Sequence, residues 1–426
     1  MILLKPKIFL LLLLPLFIFL TFNKHSKDKS NSYHGVIWGD AAGYYVYNPM
    51  WFIYGNDAKK FPKDIVENTG NGFSLSIENT IVTKYPSGVA ILQAPFFLMS
   101  HLFAKPLGYE ADGFSRIYSY GLFFAGIVYC CLGLFFLSKF LSRHFSPFIS
   151  IVAPLLFFAG TNLFYYSIDA PGMSHVYSFF LFSVIIYLSP VITEKADLKN
   201  YILFSAFVVL AVLTRPTNIL ILFFPLLYAV NNKKDFTTRL KLFFTNKITI
   251  LIALMLSAVI IIPQLKYWHH NTGSFITYSY GQENFSFFKK PKLLEVWFST
   301  NNGLFTYSPL IFLSVLGIVL LIKNKNWSGY LYGGLFLLIS YIFASWWCWW
   351  FGCAFGARSF VEYYALLIIP FCYLLEQAKS NKITQYLVII AIVFCCYINL
   401  NMEYYYDGCF YGGTWDFVTY LKLLNG

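Results

Sequence analysis

Residues 89–104 read VAILQAPFFLMSHLFA, and whether this run crosses a membrane decides the topology of the whole chain. It has 16 residues, contains Pro95, and is followed by a polar stretch with Lys105, Glu110 and Asp112. Eleven other apolar runs, at about 8–22, 117–138, 148–166, 174–191, 200–213, 217–230, 248–266, 309–322, 329–347, 361–375 and 384–400, cross or nearly cross a hydrocarbon core. Positive charge separates the two readings. If 89–104 does not cross, the loops at 139–147, 192–199, 231–247, 323–328 and 376–383 share the side of the N-terminus. They carry 13 Lys and Arg, against 2 in the opposite connections at 167–173, 214–216 and 348–360. If it crosses, the bias is reversed. The run is therefore read as an interfacial or re-entrant helix, with Pro86 near its first turn, where a missing N–H costs nothing.

The expected fold is thus an all-α polytopic membrane protein of about 11 transmembrane helices plus that interfacial helix. Composition agrees: of 426 residues, 58% are apolar, 21% aromatic and only 12% charged, about half the charged share of a soluble domain. The net charge of +12 lies in short basic segments between apolar runs, so it reads as orientation in a bilayer and not as nucleic-acid binding. Residues 1–426 are expected to form one domain. Lys5, Lys7 and the run to residue 22 form an uncleaved signal anchor, 23–116 a first external loop, 117–400 a helical bundle with an external loop at 267–308, and 401–426 an external tail. The basic turns of the inner side offer no surface for a site, so chemistry is expected outside.

Five of the eight cysteines lie inside apolar runs. Cys348, Cys353 and Cys409 lie near external membrane ends, where a disulfide among them is open to the chain in an oxidising compartment. There is no CxxC, HExxH or Walker-type loop, so zinc, redox and P-loop chemistry have no support and no cofactor is expected.

The chain has 26 Lys but five Arg, and three of those, Arg116, Arg215 and Arg358, fall at external ends, against the charge bias. A guanidinium binds phosphate in a bidentate way that an ammonium cannot, which points to an anionic headgroup. The alternative for each is snorkelling or a local carboxylate partner. Arg215, in LTRPTN, sits between two runs of only 14 residues, so its turn is expected below the outer surface, lining a cavity. Acids gather on the same face. Asp40 lies in GDAAGYY (39–45), where small residues allow close approach of a ligand and Tyr44 and Tyr45 can stack on or hydrogen-bond a sugar. Asp169 in IDAPGMSH is either a site residue or a helix cap, with His175 six residues on. SWWCWWFGCAFGARSF (345–360), with Trp349 and Trp350, is either an interfacial belt or a wall beside a lipid headgroup. Asn302, in FSTNNGLFTYSP, is a turn residue or a polar lining.

In this order the motifs resemble those of type-C (GT-C fold) membrane glycosyltransferases, the superfamily that includes protein O-mannosyltransferases and the lipid A aminoarabinose transferase. GDAAGYY after the first crossing, KYPSGVAILQAPF (84–96) opening the interfacial helix, DAPGMSH after crossing three, TRPTN, NNGLFTYSP and the tryptophan-rich segment carry the likeness over nearly the whole chain, closest to a bacterial branch. The resemblance implies a polyprenyl-phosphate sugar donor, such as an undecaprenyl-phosphate sugar. It implies a lipid, glycan or protein acceptor, and action on the periplasmic face of a bacterial inner membrane, with a cytoplasmic N-terminus and a periplasmic C-terminus. It implies Asp40 as the catalytic carboxylate and Arg215, Arg358, Arg116 and Lys84 as donor-phosphate ligands. Pro-Ser at 86–87 and neutral Ala41 depart from the family pattern. The absence of a DxD pair makes a required metal unexpected without excluding one. The rival reading is a transporter or flippase of lipid-linked sugars, which should show inverted repeats and polar residues at mid-bilayer.

Overall fold

The computed structural model describes residues 6–27, 35–76, 78–194 and 197–426, so residues 1–5 of the expected anchor, 28–34 of the first loop and Lys195 of the basic turns lie outside the described residues. Helices dominate, and among the described residues one two-stranded hairpin, Ser74–Leu75 with Ile81–Val82, breaks the pattern. Among the helices are α1 (Pro6–Lys24), α2 (Asp40–Tyr45), α3 (Gly88–Ala104), α4 (Arg116–Leu141), α5 (Pro147–Gly160), α6 (Ser174–Glu194), α7 (Leu198–Thr214), α8 (Leu310–Lys323), α9 (Trp327–Ala344), α10 (Tyr364–Ala378) and α11 (Lys382–Tyr405). Seven described helices, Gly88–Leu107 among them, are long and apolar enough to cross a membrane, and five further apolar helices are shorter.

Helix α3 runs antiparallel to the first half of α4. Tyr129 of α4 donates to the Leu92 carbonyl at 2.8 Å, Gly121 of α4 packs on Ser100 and Phe96, and Tyr118 lies 2.6 Å from His101. Both ends of α3 therefore sit beside the opening half of α4. Gly88, at its start, lies against the Leu213–Thr214 backbone, where a Cβ would collide. The turn after α7 accordingly lies about 20 Å along α4 from Arg116, counted as 13 residues of α-helical rise to Tyr129.

The basic turns meet at the other end of the bundle. Ser146 N donates to Glu376 at 2.8 Å, Lys379 reaches Ser146 Oγ at 2.8 Å, and Tyr228 lies 2.9 Å from His144. One of these connections is more than a turn: residues 233–245 form a helix capped by Asn232, which accepts from Asp235 N, with no buried residue. Its net polarity hides it among the loops, although an Asn cap followed by good helix formers is a helix-start signal.

The core is continuous through α4, α6, α9 and α10, and a second cluster, with Tyr45, Phe97 and Phe114, packs the first loop onto α3 and α4. Cys353 and Cys409 form a disulfide that ties the tryptophan-rich segment to the chain after α11, while Cys348 remains a free thiol.

Candidate active site

Asp40 opens α2 directly after Gly39, which has a φ of 53°. One turn on, Gly43 faces the Gly72 carbonyl and the Tyr85 ring, so that any larger residue would push that ring away. The ring leans on Tyr44, with centroids 4.2 Å apart, and the Tyr85 hydroxyl donates to Asp40 Oδ1. The other carboxylate oxygen, Oδ2, accepts from Arg358 Nη2 at 2.7 Å. Arg358 begins the 3₁₀ turn Arg358–Tyr363 that leads into α10, and Glu362 lies four residues along the same turn. Glu362, with no exposed side-chain surface, accepts from Arg215 Nη1 at 2.9 Å and lies 3.3 Å from His175 Nδ1. One short turn thus fixes both arginines, one directly and one through its carboxylate. Lys84 pairs with Glu283 of the long loop at 2.6 Å.

Two cavities meet at this constellation. The first, about 370 Å³, takes in Lys84, Tyr85, Arg215, Tyr280 and Trp346. The second, about 380 Å³, takes in Lys24, His25, Trp38, Tyr166 and Asp169. Asp40, Arg358, Met173, Phe351 and Gly352 line both, and the Asp40 side chain keeps 35% of its surface exposed. Behind the second cavity, Lys24 bridges Asp169 at 2.5 Å and Glu403 at 2.9 Å, joining the ends of α1 and α11 to the turn before α6.

Burial alone would raise the Asp40 carboxyl. The Arg358 charge, the Tyr85 hydrogen bond and Lys84 outweigh it and hold Asp40 below the usual carboxylate range. Burial and the Asp40 charge push the Tyr85 phenol far up, so it stays a donor. Burial and the neighbouring Glu403 push Asp169 well up, against the pull of Lys24.

The structure gathers Asp40, Tyr44, Lys84, His175, Arg215 and Arg358 around the first cavity and sets Asp169 in the second. It does not bring Arg116 there: the guanidinium stacks on Tyr120 at the start of α4, because that helix extends well beyond the site. Tyr45 points the other way along α2, donating to the Gly113 carbonyl within the second cluster. Asn302, at φ 64°, donates to the Trp350 and Gly352 carbonyls at 2.9 Å and so holds the tryptophan-rich loop from behind. Of the four tryptophans, Trp346 and Trp347 line the cavity in place of Trp349 and Trp350, which pack edge to face on one another. Sequence reasoning missed Tyr85, Glu283 and Glu362. Glu362 was detectable as an acid inside an apolar run; Tyr85 and Glu283 carry no local signal.

Among the described residues no three of His, Cys, Asp and Glu converge as a metal cage, and both Asp40 oxygens are engaged.

No family model and no curated protein sequence matches the chain. Solved structures do. The oligosaccharyltransferase of Archaeoglobus fulgidus in its apo form superposes with a TM-score of 0.53 at 13% identity, over 95% of this chain and 56% of that one. The same enzyme tethered to an acceptor peptide containing the NVT sequon gives 0.52 at 13% identity, over 95% and 55%. The chain shares the fold of that oligosaccharyltransferase. It spans about half the length of those structures.

Proposed function

We propose that the protein is a membrane glycosyltransferase that moves a sugar from a polyprenyl-phosphate donor to an acceptor hydroxyl on the periplasmic face of a bacterial inner membrane. The observation that carries this reading is the placing of one carboxylate, Asp40, in the wall between two cavities, with three cations around the first. The donor headgroup lies in the first cavity against Arg358, Arg215 and Lys84, and its polyprenyl chain leaves along the apolar wall of Ile342 and Phe343. The acceptor enters from the second cavity, where Trp38 offers an aromatic face. Asp40 takes the acceptor's proton as its oxygen bonds to the anomeric carbon, and the phosphate leaves with the electrons of the broken bond. That phosphate is already a stable anion, so no general acid is needed; fixed positive charge stabilises what develops on it. A single displacement inverts the anomeric centre. Arg116, remote from both cavities, has no part in this scheme.

Purified wild type and Asp40→Asn, incubated with radiolabelled undecaprenyl-phosphate sugars and a membrane extract, test the reading. Transfer by wild type and its loss in the variant are expected. Full activity in the variant removes Asp40 from the chemistry, and no turnover of any donor by wild type leaves the lipid-linked sugar transporter as the better reading.

A further inference from the structure

A base works best when its basicity approaches the operating pH, yet Asp40 is held as a weak one. The cause is structural. Arg358 sits in the same wall, faces both cavities, and spends one guanidinium nitrogen on Asp40 Oδ2 at 2.7 Å. The other cations of the first cavity also have internal partners, Arg215 with Glu362 and Lys84 with Glu283. These differ in what their partners face. Glu362 is fully enclosed and is not part of either cavity, and Glu283 lines the first alone. Among the described residues, only the Asp40–Arg358 pair joins a cation of the first cavity to a group that also lines the second.

We propose that this pair is an internal latch: the donor phosphate, arriving in the first cavity, engages Arg358, draws it from Asp40, and so frees the carboxylate to serve the acceptor in the second. This rests on the transferase reading above and adds to it an order of events, donor before acceptor, and a reason why an acceptor alone meets an unreactive carboxylate. The physical basis is competition between two anions for one guanidinium, and linkage makes it reciprocal: whatever weakens Asp40 as a partner strengthens phosphate binding by the same factor. Tyr85 plays a different part. Its hydroxyl holds Oδ1 and leaves Arg358 untouched, so the carboxylate stays oriented when the arginine leaves.

The test is a binding experiment that needs neither the sugar nor the acceptor. Undecaprenyl phosphate is titrated into detergent-solubilised wild type, Asp40→Asn, Tyr85→Phe and Arg358→Gln, with quenching of tryptophan fluorescence as the readout, since Trp346 and Trp347 line the first cavity. With the competing charge gone, Asp40→Asn is expected to bind about tenfold tighter than wild type, within the usual range of coupled sites. Tyr85→Phe should stay within about twofold, and Arg358→Gln should bind weakly whether or not Asp40 is also changed. Asp40→Ser replaces Asp40→Asn if the amide disturbs folding. Equal or weaker binding by the Asp40 variants overturns the latch. Tighter binding with no sugar transfer by wild type keeps the latch and removes the transferase reading; transfer with unchanged binding does the reverse.

Discussion

Glu362 and Arg215, 147 residues apart, meet at 2.9 Å with the carboxylate fully enclosed. Removing one partner of a buried pair strands the other, which costs about 3–5 kcal/mol. Glu362→Gln should therefore lower the apparent melting temperature in detergent by several degrees, while Arg116→Gln, on a half-buried ring stack, should stay within about 0.5 kcal/mol. A Glu362→Gln protein that melts with wild type would show that the pair contributes nothing to the packed state.

Arg358 makes a directional contact that a lysine cannot copy, since an ammonium is a point charge on a flexible stem. With a transferable donor in hand, Arg358→Gln should lower kcat by about 10²–10³, the usual cost of losing one preorganised donor at a developing anion. Arg358→Lys should fall between it and wild type. Equal rates for Lys and Arg at this position would mean that charge alone matters there.

The disulfide Cys353–Cys409 closes a loop of 56 residues beside the second cavity. Chain-entropy arguments give about 4 kcal/mol for a loop of that size. Cys353→Ser should lower the melting temperature and abolish the mobility shift between reduced and non-reduced gels, whereas Cys348→Ser should do neither. A shift surviving in Cys353→Ser would assign the bridge to another pair.

The pH dependence has a definite sign. Because the folded Asp40 carboxyl lies below its unfolded value, its contribution to stability is complete above the unfolded range and is lost as pH falls through the folded one. Wild type should therefore exceed Asp40→Asn in melting temperature by a constant margin from about pH 5 to 8, and the margin should close below about pH 4. A margin that grows on acidification contradicts the ion pair.

Much of the fold was legible because a bilayer leaves few options: apolar length and the sorting of Lys and Arg place the turns, and the hydrogen bonds of Ser146 with Glu376 and Lys379 gather those turns at one end. The helix 233–245 escaped because its net polarity places it among the basic loops. At the site, Arg215 stood out as a charge where charge is costly, Arg358 as a cation against the charge bias, and Asp40 by its small and aromatic neighbours in GDAAGYY. Tyr85 did not, since a tyrosine in an aromatic-rich chain is unremarkable until Gly43 makes room for its ring against α2. Tyr45 and the choice among the tryptophans depended on which way a side chain turns from its backbone, and no spacing in the sequence fixes that in a short helix or an irregular loop.

Lys24 bonds Asp169 and Glu403, the latter 379 positions further along the chain. During synthesis the opening helix is inserted long before the closing one exists, so this ammonium must wait with Asp169 alone, or with water, until translation is almost finished. Completion of the bundle is then sensed at its first helix. A chain released before residue 403 leaves that seam with one carboxylate beside the ammonium where the finished chain has two.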